Sequence, residues 1–481
     1  MENEINEMNE SNIGQTPVSK DEPKIIGQGT YGCIIRPSID NQGNADPASE
    51  YITKIEIGKS TTENEVNIGN QIRAIPDYEE MFSPIIENDE VLLSEINTKE
   101  IGECNIIKSL EKDATLELNK IKYVGKDSLG MYLMNVLKEY PAKWIEVAID
   151  THLTLLNSFT KLNKIGIIHN DVKENNILCR NEDGRPIIID FGLSMEKEYL
   201  TMPNPPSMIG SLTTEKKSSH IHKYFFKYAP DYEVWCIDIH ILNYMMTVLN
   251  KEWLESMVTQ EQVNLLNSLQ KEEPQRFSEK VNIPWSETIL TLKTVGKDDM
   301  IEIIYENYGY QWRTRNTEGL AAILDSYIEN NLMASQMFSQ EDVENYKTKM
   351  VEYIDSYKDK TWETLFNDLI SYQETWDNYA LSFMYIKIIK SLEITGNEKI
   401  DEYVLSLKSI VLSDPNERKT PEKTKEFITG VLKKVPKTIY RRMVELFFGS
   451  KENHSELTRN IATKQIEEIK SETQIYEAKK L

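Results

Sequence analysis

The stretch from Ile165 to Cys179, IGIIHNDVKENNILC, sets His169, Asp171, Lys173 and Asn176 between two apolar runs. A surface loop between a helix and a strand is the plain reading. The sharper one is phosphoryl transfer, which asks little covalent chemistry of a protein and much positioning and charge neutralisation. Asp171 can accept the proton of an attacking hydroxyl, and Lys173 can stabilise the transferring group. Nineteen residues beyond Asp171, Asp190 opens the triplet Asp-Phe-Gly at the end of the apolar run PIIID. The amide oxygen of Asn176 and the carboxylate of Asp190 are hard ligands that can hold Mg²⁺ from two sides, with substrate phosphates completing the shell.

Two further groups fit that chemistry. In IIGQGTYGCII, Gly27, Gly29 and Gly32 form G-x-G-x-x-G. Glycine lets backbone N–H groups approach phosphates closely. Because the motif lies between two strand-like runs, it suggests a flap over nucleotide phosphates more than a dinucleotide fold. Lys54, in the run YITKIEI, can pair with phosphate oxygens. An acid on the following helical stretch would hold it. Glu65 fits best, because EVNIG places apolar residues one and three positions beyond it; Glu63 is the alternative.

These residues need elements to carry them. Apolar, β-branched runs at KIIG, GCIIR and YITKIEI read as short antiparallel strands, separated by the turn-rich PSIDNQGNADPASE. TTENEVNIGNQIRAI has helical spacing, and EVLLSEI, CNIIKSL and LNKIKYVG read as strands. After Gly125 the texture changes to long amphipathic helical patterns, the second stopping at Gly166. ILC and PIIID are short strands, and nearly everything beyond Tyr232 reads as helix.

A chain of 481 residues can bury a large core. Its net charge of −23 argues against direct binding to nucleic acid or an anionic membrane. Cys33, Cys104, Cys179 and Cys236 lie far apart, which suits free thiols in a reducing, intracellular setting. Cys33 reads as a small apolar residue. The first 22 residues have a disordered, acidic composition without the features of a signal peptide, and no run is long and apolar enough to cross a membrane.

Taken together, the glycine loop, strand lysine, helix acid, catalytic loop and Asp-Phe-Gly resemble the eukaryotic-type protein kinase family. YAPDYE at 228–233 resembles the family's Ala-Pro-Glu, with Asp231 in the acid's place. TWDNYALSFMYI resembles its central helix, with Asp377 bracing the catalytic loop. LSDPNERKTPEKT resembles its late Asp-Pro-x-x-Arg segment, whose Arg418 would pair with Asp231, or with Glu233 as substitute. An insertion between the Ala-Pro-Glu-like segment and the central helix, together with NEVNIGNQIRAIPDYEEMFSPI and WCIDIHILNYMM, is similar to protein kinases of large nucleocytoplasmic DNA viruses.

The resemblance implies an α+β, bilobal protein-kinase-like fold: a disordered 1–22, a β-rich N-lobe at 23–125, and a mainly helical C-lobe at 126–450. A helical insertion at about 241–374 and a helical tail at 451–481 complete it. It implies ATP- and Mg²⁺-dependent phosphorylation of protein Ser/Thr hydroxyls, with Asp171 as base. Ile34 and Leu178 would sandwich adenine, Tyr123 and Val124 would offer it backbone hydrogen bonds, and His169 would be structural. The partner implied is a protein substrate, with a further partner open for the insertion or tail, and the location host cytoplasm or virion.

Several positions depart from the family pattern. Asn170 replaces an arginine that meets an activation-loop phosphate, so activity is expected without that phosphorylation. Ile52 replaces an alanine lining the adenine pocket. Tyr224 falls where a threonine usually contacts the base and the lysine. A pseudokinase scaffold and a small-molecule kinase of related fold are the rival readings. His220, His222, Cys236 and His240 lie within 21 residues and could make a zinc site, although Cys236 and His240 more simply share one inward helix face.

Overall fold

The computed structural model describes residues 24–28, 32–57, 59–97, 101, 104–108, 110–201, 221, 224–250, 252, 311–394 and 398–432. The chain divides into two compact units, one of residues 1–70 and 84–123, the other of 71–83 and 124–481.

The smaller unit is built on a five-stranded antiparallel sheet of order β1-β2-β3-β6-β5. Its strands are β1 (Lys24–Gln28), β2 (Gly32–Arg36), β3 (Tyr51–Glu56), β5 (Ile85–Leu92) and β6 (Thr115–Lys122). Alternation along β2 sends Cys33 and Ile35 into the core and leaves Ile34 partly exposed on the other face. Ile55, Val91, Leu116 and Leu118 complete that apolar layer with Ile101 and Ile107. Helix α1 (Lys59–Arg73) buries Glu65, Ile68 and Ile72. CNIIKSL is not a strand: Asn105–Lys108 forms the one-turn helix α2, and Cys104 just before it is bridged to Cys33. A short apolar run does not by itself distinguish the two periods. The expectation of four free thiols is thereby corrected; Cys179 and Cys236 are free and buried.

The larger unit holds two small sheets, β4-β10-β9-β7 and β11-β8. Their strands are β4 (Phe82–Ser83), β7 (Asp127–Ser128), β8 (Ile167–Ile168), β9 (Ile177–Cys179), β10 (Pro186–Ile189) and β11 (Met195–Glu196). Helix α3 (Leu129–Glu139) is capped by Ser128. Helix α4 (Trp144–Lys164) ends where Gly166 adopts φ +80°, a conformation open to glycine at little cost. Short α5 (Ile237–Asn243) follows, then α6 (Leu320–Tyr327), α7 (Gln340–Asp355) with its Ser339–Asp342 capping box, and α8 (Trp362–Ser371). These last three supply the helices expected in the insertion, whereas WLESMVTQEQVNLLNSLQ, the first 22 residues and the tail lie outside the described residues. Helix α9 (Trp376–Ser391) is buried on nearly every side, as expected of a helix at the centre of a core; α10 (Glu398–Val411) and α11 (Pro421–Leu432) follow it. Among the described residues, no helix is long and apolar enough to cross a membrane.

Candidate active site

In the smaller unit, β2–β3–β6 register places Ile34, Lys54 and Asn119 side by side. Lys54 Nζ lies 3.0 Å from Glu65 Oε2 and 3.0 Å from Glu56 Oε1. The helix acid chosen from the sequence is the one that meets the lysine. Glu56, two residues along the same strand and so on the same face, was not anticipated; period-two alternation was the available signal. Asn119 Nδ2 donates to Glu56 Oε2 at 2.8 Å, and Asn88 Nδ2 donates to Asn119 Oδ1 at 2.8 Å and Glu117 Oε2 at 2.9 Å. Glu56, one of the two acids that receive Lys54, is thus part of a polar ladder across three strands.

Gly27 sits in β1 opposite Ile34, and Gly32 opens β2 opposite Glu56. A Cβ on Gly32 would lie 2.1 Å from the Ile55 carbonyl oxygen, so the strand approach admits only glycine there. Gly29 lies outside the described residues. The Tyr123 ring lies under the Arg36 guanidinium at 3.5 Å, and its N–H donates to Glu50 O at 2.9 Å. That N–H, expected from the sequence to meet adenine, is therefore engaged within the protein.

In the larger unit the catalytic-type loop is set from below. Asp377, on α9, accepts from the backbone N–H of His169 at 2.8 Å and of Asn170 at 2.9 Å. Asn170 adopts φ +61°, a conformation that asparagine tolerates better than most residues, and its side chain is buried. Burial pushes the Asp377 carboxyl up; the two backbone donors of His169 and Asn170 pull it back. His169 Nδ1 accepts from the Asp171 N–H at 3.3 Å, and its Nε2 lies 3.1 Å from Ile189 O, which fits the neutral Nε2–H tautomer. With Phe159 and Phe191 against its ring, His169 has a structural place under the loop.

Asp171 is 4% exposed. Its Oδ2 accepts from Lys173 Nζ at 2.8 Å and from Asn176 Nδ2 at 2.8 Å; Asn176 Nδ2 also reaches the Asp171 carbonyl at 2.9 Å. The Glu174–Asn176 3₁₀ turn aims Asn176 back at Asp171. Strand β9 then pairs antiparallel with β10, Ile177 opposite Ile188, and leaves Asp190 just past the strand end at φ +61°. Phe191 is fully buried against Phe82 and His169. Leu178 is partly exposed between buried Ile177 and Cys179.

One expectation is corrected. Arg418 does not pair with Asp231 or Glu233. Its guanidinium meets Asp238 at 2.9 and 3.1 Å, both side chains sealed from solvent, and Trp376 Nε1 donates to the same carboxylate at 3.0 Å. Asp238 lies in the first turn of α5 and points inward, whereas Asp231 sits exposed in the preceding turn and Glu233 pairs with Lys387. Tyr224 does not approach Asp171: its hydroxyl accepts from the Glu196 N–H at 3.2 Å. Tyr232 takes that place, its phenol donating to Asp171 Oδ1. For the zinc reading, His220 and His222 lie outside the described residues, while Cys236 and His240 are fully buried, as an inward helix face requires. Among the described residues no cluster of three or more His, Cys, Asp or Glu could hold a metal.

Comparison with known proteins agrees with this geometry at a coarse level. No protein-family model matches the chain. A probable serine/threonine-protein kinase of Clostridium perfringens, CPE1738, is 32% identical over 109 residues, 22% of this chain and 15% of that protein. The chain thus spans a small part of its relative's length. The structure of the Cydia pomonella granulovirus kinase PK-1 aligns over 47% of this chain and 69% of its own at 14% identity, with a TM-score of 0.25, too low to bear on the fold. The lysine–acid pair, the braced loop and the ordered motifs, with the match to a named kinase, make the chain protein-kinase-like.

Proposed function

We propose that this protein transfers the γ-phosphoryl group of ATP to serine or threonine hydroxyls of a protein substrate. The observation that carries the reading is Asp171: a nearly buried carboxylate fixed on one oxygen by Lys173 and Asn176, in a loop fixed by Asp377. Asp171 would accept the hydroxyl proton, and Lys173 would stabilise charge on the transferring group. Lys54, oriented by Glu65, would bind the α/β-phosphates beneath the glycine loop. Ile34 and Leu178, each left partly exposed between buried neighbours, would contact adenine.

Asn176 spends its amide donors on Asp171, which leaves its Oδ1 as an acceptor suited to a hard cation, and Asp190 offers a carboxylate beyond β10. These two would hold Mg²⁺, which when bound would neutralise phosphate charge. The test is incubation of the whole chain with labelled ATP, Mg²⁺, a protein panel and small alcohols. Label should appear on protein serine or threonine and fall at least about 10²-fold in Asp171→Asn, the scale of a lost general base. Label on the alcohols alone would favour a small-molecule kinase, and no transfer by the parent a scaffold.

A further inference from the structure

Among the described residues, Tyr232 makes a side-chain contact to the Asp171 carboxylate that the proposed chemistry leaves without a role. An ionised carboxylate offers about four lone-pair sites. Lys173 and Asn176 occupy Oδ2, and the Tyr232 phenol occupies one side of Oδ1, so a single site, on Oδ1, is left for an incoming hydroxyl. The phenol is itself anchored. The Tyr232 N–H donates to Ala229 O at 3.0 Å, and the Trp235 N–H returns to Tyr232 O at 3.1 Å. The Trp235 ring lies edge-on to Tyr232 with centroids 4.7 Å apart, and its Nε1 donates to Asn170 O at 3.0 Å. From the insertion, Asn331 Nδ2 donates to Pro230 O. Tyr232 is therefore tied both to the loop it touches and to the helical insertion.

We infer that Tyr232 is a positioning residue for Asp171: its phenol fixes the carboxylate's rotation and leaves one Oδ1 lone pair for the acceptor hydroxyl. This rests on the phosphotransferase reading, with Asp171 as base. Burial first, then the Asp171 charge and the hydrogen bond to it, push the Tyr232 hydroxyl above its ordinary range, so the phenol keeps its proton and donates throughout neutral pH. A bond to a charged acceptor is among the stronger hydrogen bonds. Its loss frees the carboxylate to rotate.

The experiment compares the full-length parent, Tyr232→Phe and Asp171→Asn, measuring kcat and KM for ATP. In Tyr232→Phe, kcat should fall about tenfold with KM for ATP unchanged, the scale of one hydrogen bond to a charged group. Tyr232→His, which restores a donor, should recover part of kcat. A purely structural residue would give neither that split nor that rescue. An inactive Asp171→Asn beside a Tyr232→Phe with parental kcat overturns this inference alone. A Tyr232→Phe faster than the parent overturns it too, because the phenol would then be a plug. An active Asp171→Asn overturns the underlying reading instead. Should the phenylalanine variant fail to fold, Tyr232→Thr, too short to reach the carboxylate, gives the same readouts.

Discussion

Each unit keeps a cation against a buried acid, and the two pairs differ in one respect. Lys54 retains 17% exposure beside Glu65, whereas Arg418 and Asp238 have side-chain exposures of 1% and 0%. The first pair can still present an amine to a ligand. The second can only join the elements around it: the first turn of α5, the start of α9 through Trp376, and the segment that carries Arg418. Similar chemistry thus serves binding in one unit and cohesion in the other, and exposure decides which.

Breaking the sealed pair should give the largest effect. Arg418→Ala leaves Asp238 buried without its cation, so the larger unit should lose about 3–5 kcal/mol. Urea melts check this, and a loss below about 1 kcal/mol would abolish the distinction between the pairs. Breaking the open pair should act chiefly on turnover, with a smaller stability loss because Lys54 is partly open to water. Lys54→Met should lower kcat/KM by about 10²–10³, the scale of removing one preorganised charge-stabilising donor, and shift the melting curve less than Arg418→Ala does.

His240 sharpens the sealed side of the comparison at smaller scale. Among the described residues neither ring nitrogen makes a hydrogen bond of ordinary geometry, and burial holds the imidazole down to about 4, opposed by the nearby backbone of Trp235 and Tyr232. The folded value lies below the unfolded one of about 6.5. Its stability contribution is therefore complete above pH 6.5 and falls as pH drops toward 4, because the unfolded chain takes the proton first. At pH 5 the loss is about 2 kcal/mol. His240→Phe should shrink the stability difference between pH 7.5 and pH 5 by that amount. Part of the difference should remain, since His152, held down to about 3 by burial, titrates with the same sign. An unchanged difference in the variant would refute the assignment to His240.

What could be read from the sequence follows the same line. Lys54, Glu65, the loop at 169–176 and Asp377 were legible because their roles depend on local spacing or on a motif in fixed order. Arg418's partner was not, because two acids in one exposed turn were as plausible as one in the next helix; only the inward turn of α5 selects Asp238. Tyr232 was hidden among other aromatics at 228–235, where nothing marks one hydroxyl as the one that meets Asp171. The bridge between Cys33 and Cys104 spans 71 residues and joins a strand to a helical turn, a separation that periodicity does not register.

The two amides that Asp377 grips belong to residues 207 and 208 positions earlier in the chain. During synthesis, the ribosome must therefore deliver the whole intervening sequence before those amides find their acceptor. A nascent chain can complete its first sheet long before then, but it stays chemically unassembled until α9 emerges and docks.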